Sequence, residues 1–293
     1  MKARSKLQAV SRGLNSAGIE SPVKEAEIIL RDVLSMNLID IYRGDPELTD
    51  EQVSLLESVV RRRTSREPLQ YILGYVEFMG LKIRVGKGVL IPRPETELMA
   101  EYAIKTCRGG VTPPLHILDL CTGSGCLALA LAKEFPHAQV YGIDVSDNAL
   151  SYAKKNAGLN EVNNVSFIQG NLFEPLYVRG NPAPAFDLVI SNPPYVKTAD
   201  MKNLQPEIKL WEPLNALDGG ADGLDYYRRI VPEARQFLKS NGMLVLETGI
   251  DCSGAIKKLF EDAGYSGVTL VKDYAGIERI AAGQWSDNIP PRL

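Results

Sequence analysis

The sequence predicts an α/β protein whose main part is an open, doubly wound, mostly parallel seven-stranded sheet, with a small all-helical domain in front of it. Three observations carry this. From about residue 110 onward, short apolar runs alternate with helical patterns, the signature of repeated βαβ units. Residues 1–72 instead show apolar residues at spacings of three and four throughout. An apolar run ending at Ile190 reads as a central strand covered on both faces.

In chain order, Leu7, Val10, Leu14 and Ala17 form the apolar stripe of a first helix. Ser21 and Pro22 then open a second, with Val23, Ala26, Ile29, Leu30, Val33 and Leu34 on one face. Thr49 and Gln52 have the spacing of a capping box before Val53, Leu56, Val59 and Val60. That helix ends in Arg61, Arg62 and Arg63, with Arg66 beyond. These basic residues read equally as a solvated helix C-terminus and as a contact for nucleic acid or an acidic partner. Strand-type runs at 75–78 and 81–85, broken by Met79 and Gly80, predict a hairpin. The expected boundaries are a helical domain over 1–72, a hairpin connector over 73–90 and a sheet domain over 91–293. The segment Leu90, Ile91, Pro92, Arg93, Pro94, Glu95, Thr96, Glu97 is a rigid strap leading into a helix, stiff enough to line a site.

Strands are predicted at 116–120, 139–143, 165–168, 186–190, 243–246, 268–271 and 279–282. Helices are predicted at 124–135, 147–156, 226–238 and 254–263. In such a sheet a ligand binds at the carboxyl ends of the strands, at the switch point.

A chain of 293 residues, 45% hydrophobic and 24% charged, has the composition of an ordinary globular protein. A net charge of −3 and a pI near 5.6 argue against wrapping duplex DNA. Cys107, Cys121, Cys126 and Cys252 lack metal or disulfide spacing, and His116 and His137 fit no zinc pattern, so no metal is expected. No apolar run is long enough to span a membrane. Lys2, Arg4, Lys6 and Arg12 precede the first acidic residue, Glu20, as in a transit peptide. The helical stripe there favours the first helix of a folded, cytoplasmic protein.

The chemistry is expected at Asn192, Pro193, Pro194 and Tyr195, which follow the central strand. Proline has no N–H, so the Pro193 carbonyl is a pure acceptor held in one direction. The Asn192 side-chain oxygen is a second acceptor, and Tyr195 offers a flat face. Two acceptors and a flat face suit a planar –NH2 group, although a solvated turn would explain the four residues alone. A glycine-rich turn, 119–125, sits at the first switch, with Asp144 ending the next strand, where a carboxylate can accept both hydroxyls of a ribose. Gly123, Gly125 and Ala128 also satisfy the dinucleotide pattern G-x-G-x-x-A, which leaves a nicotinamide-dependent dehydrogenase open. Such an enzyme needs a proton donor or acceptor for its substrate, and no suitable residue stands at the fourth strand. Methyl transfer needs only that the nucleophile be aimed at the methyl carbon.

Taken in order, the helical N-terminal part, 91–97, 119–125, 192–195, Glu212 and Pro213 with Ala216 and Leu217, and Asp273 with Gly276 and Arg279 resemble the PrmC/HemK family, glutamine methyltransferases of peptide chain release factors. The resemblance spans essentially the whole chain and implies a class I, Rossmann-like methyltransferase fold. It further implies S-adenosylmethionine bound by Asp119, Cys121, Thr122, Gly123, Ser124, Gly125, Asp144, Asn171, Leu172 and Asn192. Asn192, Pro193, Pro194 and Tyr195 would hold the substrate glutamine, with Asn192, Pro193 and Tyr195 as the catalytic set. Class I release factors would be the partners, docking on residues 1–72. Cys121 departs from the glycine common in the family, and 249–252 lacks an expected glutamine. An adenine-methylating DNA enzyme uses a related loop, and a silent adaptor of the ribosome or a release factor would share the fold. The acidic pI and lack of a large recognition insert count against the DNA enzyme.

Overall fold

The structure is a computed structural model describing residues 1–110, 114–177 and 185–286. Positions 287–293 of the expected 91–293 domain lie outside the described residues. The chain divides into two units, one of 1–75 with 205–212, the other of 76–204 with 213–293. In chain order the elements are α1 (Ala3–Ser16), α2 (Pro22–Leu34), α3 (Asp50–Thr64), α4 (Leu69–Leu73), β1 (Tyr75–Phe78), β2 (Leu81–Arg84), α5 (Pro94–Gly110), β3 (His116–Leu120) and α6 (Cys126–Glu134). There follow β4 (Gln139–Asp144), α7 (Asp147–Leu159), β5 (Val165–Gln169), β6 (Phe186–Ser191), α8 (Pro206–Trp211), α9 (Asp225–Ala234), β7 (Leu238–Glu247), α10 (Ser253–Asp262), β8 (Ser266–Lys272) and β9 (Glu278–Gln284).

The helical unit has its own core, in which Leu7, Val10, Leu14, Ala26, Ile29, Leu30, Ile41 and Leu56 are buried. At the start of α3, Thr49 and Gln52 form the expected capping box: the Thr49 hydroxyl accepts from the Gln52 N–H at 3.2 Å and Gln52 accepts from the Thr49 N–H at 3.0 Å. Ser21 makes no such bond at the start of α2, where Pro22 stands at the first helical position. The basic cluster is divided: Arg61 and Arg62 are exposed at the helix C-terminus, whereas Arg63 and Arg66 turn inward. Arg63 is buried and paired with Glu25 and Glu207, Arg62 with Glu67, and Arg66 with Glu207. Arg63 and Arg66 thus meet carboxylates inside the unit.

The larger unit is a seven-stranded sheet in the order β5-β4-β3-β6-β7-β9-β8. Every neighbouring pair is parallel except β7 with β9 and β8 with β9. The chain leaves the middle outward through β4 and β5, then returns to β6 beside β3, so the topological switch lies between β3 and β6. All residues of β6 are buried, including the polar Asp187 and Ser191, as fits a central strand covered on both faces. The helix expected at 226–238 ends at Ala234, and Leu238 begins β7; Pro232 sits within α9. The helix expected from 124 starts at Cys126, because Gly125 takes φ +80, a left-handed conformation outside the helix.

The hairpin β1–β2 is held by two asparagines four residues apart, Asn156 within α7 and Asn160 just past its C-terminal end. Asn156, fully buried, accepts from the Arg84 N–H at 2.7 Å and donates to the Arg84 carbonyl at 3.1 Å and the Ser124 carbonyl at 3.0 Å. Asn160 accepts from the Lys82 N–H and donates to its carbonyl in the same way. No helix among the described residues is long and apolar enough to cross a membrane.

Candidate active site

The parallel register places the two loops of interest side by side. Leu120 at the end of β3 pairs with Ser191 at the end of β6, and the Ser191 hydroxyl donates to the Leu120 carbonyl at 2.7 Å. Residues 121–125 and 192–195 therefore leave the sheet from adjacent positions, where open α/β sheets bind their ligands. A cleft of about 960 Å³ opens there, bounded by the loops after β3, β4, β5 and β6, by the strap 88–93 with Thr96, and by Pro213, Asn215, Ala216 and Tyr226.

Of the residues singled out in the sequence, Cys121, Thr122, Gly123, Ser124, Asp144, Asn171, Leu172, Asn192 and Pro194 line this cleft. Asp144 is fixed by two backbone donors, the Gly123 N–H at 2.8 Å on one oxygen and the Ser146 N–H at 2.9 Å on the other. Each oxygen keeps a lone pair for a further donor. Burial raises its carboxyl above the ordinary value, with those backbone bonds opposing the shift. The Asn171 amide donates to Glu174 at 2.7 Å, and Leu172 presents an apolar side chain beside it. Cys121 takes φ +56, the left-handed region in which a glycine is unstrained. Its thiol is raised by burial and by Asp144, so it is no reactive thiolate.

Asp119, Gly125, Pro193 and Tyr195 are not part of the cleft wall. Asp119 is fully buried behind the loop, accepting from the Thr122 hydroxyl at 2.5 Å and the Ala128 N–H at 3.2 Å. It holds the turn and the first turn of α6 together. Burial pushes its carboxyl up to about 7. Gly125 packs against α7, where an added Cβ would lie 3.0 Å from Ala153 and from Phe167. Pro193 is buried. The Tyr195 ring lies over Gly249, where a Cβ would come within 2.9 Å of it, and the hydroxyl donates to Glu247 at 3.3 Å. One side of the ring is thus covered by its own fold. The loop 192–196 is tied down by Val196, whose N–H donates to Leu217 at 2.8 Å and whose carbonyl accepts from Gly219 at 2.8 Å.

Two residues of the site were missed in the sequence. Glu247 ends β7, is 1% exposed, and is raised to about 7 chiefly by burial. Thr96, recognised only as part of the strap, donates to Glu247 at 2.7 Å and accepts from the Asn192 amide at 3.1 Å. A glutamate closing an apolar strand, read Leu-Val-Leu-Glu, was the available signal.

Family models match this chain over residues 6–74, described as a PrmC N-terminal domain, and over residues 112–274, described as a methyltransferase domain. A release factor glutamine methyltransferase of Thermodesulfovibrio yellowstonii is 43% identical over 91% of this chain and 94% of its own. One of Geobacter sulfurreducens is 41% identical over 92% of each. Among solved structures, a methyltransferase from Pyrococcus furiosus has the same fold, with a TM-score of 0.51 at 21% identity over 71% of this chain and 90% of that one.

Proposed function

The chain belongs to the release factor glutamine methyltransferase family, and from that premise we propose that it transfers a methyl group from S-adenosylmethionine to the side-chain amide nitrogen of the glutamine in the Gly-Gly-Gln motif of peptide chain release factors. The reaction belongs in the cytoplasm, with class I release factors as partners. The observation that carries this reading is that, at one switch point, the cleft lined by Asp144 is also lined by Asn192 and Pro194 of the loop that follows β6.

The cleft suits the cofactor in its chemistry. Asp144 retains acceptor capacity for ribose hydroxyls, and Ile143, Val145 and Leu172 give the apolar surface a flat base needs. Cys121, Thr122, Gly123 and Ser124 border the space for the amino-acid part. When bound, S-adenosylmethionine supplies a methyl group made electrophilic by a sulfonium.

The chain's own task is to make an amide nitrogen nucleophilic. Its lone pair is shared with the carbonyl, the resonance behind the barrier of about 18 to 20 kcal/mol to peptide rotation. If the Asn192 oxygen and the Pro193 carbonyl accept its two N–H groups, electron density is pushed back onto nitrogen and the positive charge developing there is stabilised. Placed groups of this kind contribute on the order of 3 kcal/mol each. The methylated nitrogen is then strongly acidic and loses its proton to water, so the site needs no general base.

The test is single-turnover transfer of labelled methyl to an intact release factor, to a Gly-Gly-Gln peptide and to adenine-containing DNA. Wild type should label glutamine in the factor. Asn192→Ala should slow that step about a hundredfold at saturating cofactor, because Pro193 still shapes the loop while one acceptor is gone. Labelled DNA with an untouched factor, or an Asn192→Ala variant as fast as wild type, would refute the reading.

A further inference from the structure

A side-chain amide carries an acceptor and a pair of donors on the two arms of one planar group. A site that uses the oxygen of Asn192 must therefore have something that decides which arm faces the ligand. In this structure the Asn192 Nδ2 donates to Thr96 Oγ1 at 3.1 Å, and the Thr96 hydroxyl donates onward to Glu247 Oε2 at 2.7 Å. Thr96 and Glu247 are 2% and 1% exposed, so water does not compete for these bonds. Thr96 has one hydrogen, and an ionised carboxylate can only accept. With that hydrogen directed at Glu247, the Thr96 oxygen can only accept, and only the nitrogen arm of Asn192 can satisfy it.

We infer that Glu247 is a positioning residue of the candidate site, which acts through Thr96 to select the arm of the Asn192 amide presented to the substrate nitrogen. The inference deepens the proposed function and rests on it in taking the substrate group to be an –NH2. Reversing the chain reverses the site. A protonated Glu247 can donate to Thr96, Thr96 then donates to Asn192 Oδ1, and the turned amide shows the substrate N–H groups where it needs an acceptor.

The groups that face Glu247 come from every element packed on it. Tyr195 donates to the other carboxylate oxygen at 3.3 Å, and the Tyr227 hydroxyl of α9 donates to the Glu247 backbone carbonyl at 2.7 Å. Glu95 of α5 raises its proton affinity and Arg279 of β9 lowers it, while Arg279 is itself bonded to Asp273 at 3.0 Å. Cys126 at the start of α6 also feels its charge. Burial outweighs these and holds the carboxyl up near the range in which its proton state changes around neutral pH.

The experiment compares full-length wild type, Thr96→Val, Thr96→Ser and Glu247→Gln in single-turnover transfer to the release factor between pH 6 and 9. Alongside it run calorimetry of S-adenosylmethionine binding and the exchange rate of the Asn192 side-chain amide hydrogens by NMR. Thr96→Val keeps the volume of the side chain and removes the hydroxyl; it should transfer about tenfold or more slowly, bind the cofactor within about twofold of wild type, and exchange its Asn192 hydrogens faster. Thr96→Ser restores the hydroxyl and should recover both rates to within about threefold. Wild type should slow as pH falls through one proton uptake, and Glu247→Gln should lose that step. A folded Thr96→Val transferring at the wild-type rate, Thr96→Ser as slow as Thr96→Val, or an unchanged pH step in Glu247→Gln overturns the inference. Should Thr96→Val not fold, the serine variant and the pH profile of Glu247→Gln decide. Should wild type label no glutamine at all, the proposed function falls by itself, and the amide exchange of Asn192 still decides the positioning role.

Discussion

Asp119 stands two positions before the loop that borders the cleft, yet its carboxylate faces into the protein, bonding Thr122 and Ala128. A carboxylate so buried titrates differently in the folded and unfolded chain. Its folded value, about 7, lies above the ordinary 3.8, so the folded state binds the proton more tightly. The stability this contributes is fully present below about pH 4 and is lost as pH rises through 7. Asp119→Asn removes that dependence. Urea unfolding of variant and wild type should therefore show the variant gaining on wild type by on the order of 4 kcal/mol between pH 4 and 8, most of it before pH 7. A difference independent of pH would mean that Asp119 is ionised at no cost. From sequence, Asp119 and Asp144 look alike, each a carboxylate at a strand end. Asp119 faces inward and Asp144 faces the cleft, and that distinction depends on how α6 and α7 pack.

At the scale of elements, the Arg-rich end of α3 shows how far local pattern reaches. The helix and its capping box were legible, because spacing and caps are local properties. The destination of its arginines was not, since Glu207 lies 144 residues from Arg63 in the chain. Arg63 donates to Glu25 at 2.7 and 3.1 Å and to Glu207 at 3.0 Å, with its side chain only 6% exposed. Removing one member of such a pair strands the others. Arg63→Met should lower the unfolding free energy by about 3 to 5 kcal/mol, whereas Arg61→Met, at an exposed position of the same helix, should change it by no more than about 0.5 kcal/mol. Chemical denaturation of the two variants decides, and equal losses would show that the pairs contribute nothing. The hairpin was legible in the same way from Met79 and Gly80, while the two asparagines that bind it to α7 were unremarkable in a stretch of ordinary polarity.

At the scale of the whole molecule, each unit buries a separate apolar core, one of helix faces and one of sheet with helices. Every residue lining the cleft belongs to the larger unit. The helical unit is free of that chemistry, and we propose that it docks the protein substrate. A chain lacking residues 1–72 should bind S-adenosylmethionine as well as wild type does, and methylate a short Gly-Gly-Gln peptide at a similar rate. Intact release factor should be methylated at least about tenfold more slowly, the loss of roughly 1.4 kcal/mol of binding. Circular dichroism checks that the truncated chain is folded, and calorimetry and turnover on the two substrates read the outcome. Full activity on the intact factor would assign docking to the larger unit.

The sequence by itself determined the element types, the open mostly parallel sheet and the two loops that meet at its switch point, because periodicity and chain breaks are local and parallel βαβ units have one favoured hand. It also placed Asp144 and Asn192 at strand ends, where side chains reach a cleft. The tertiary structure alone decided that Asp119, Gly125 and Tyr195 support the site from behind, that Arg63 and Arg66 are neutralised within their own unit, and that Glu247 and Thr96 stand behind Asn192. The reason is the same in each case. A hydrogen bond or ion pair joins residues by distance in space, and Asn192 to Thr96, 96 positions apart, leaves no period in the sequence to read.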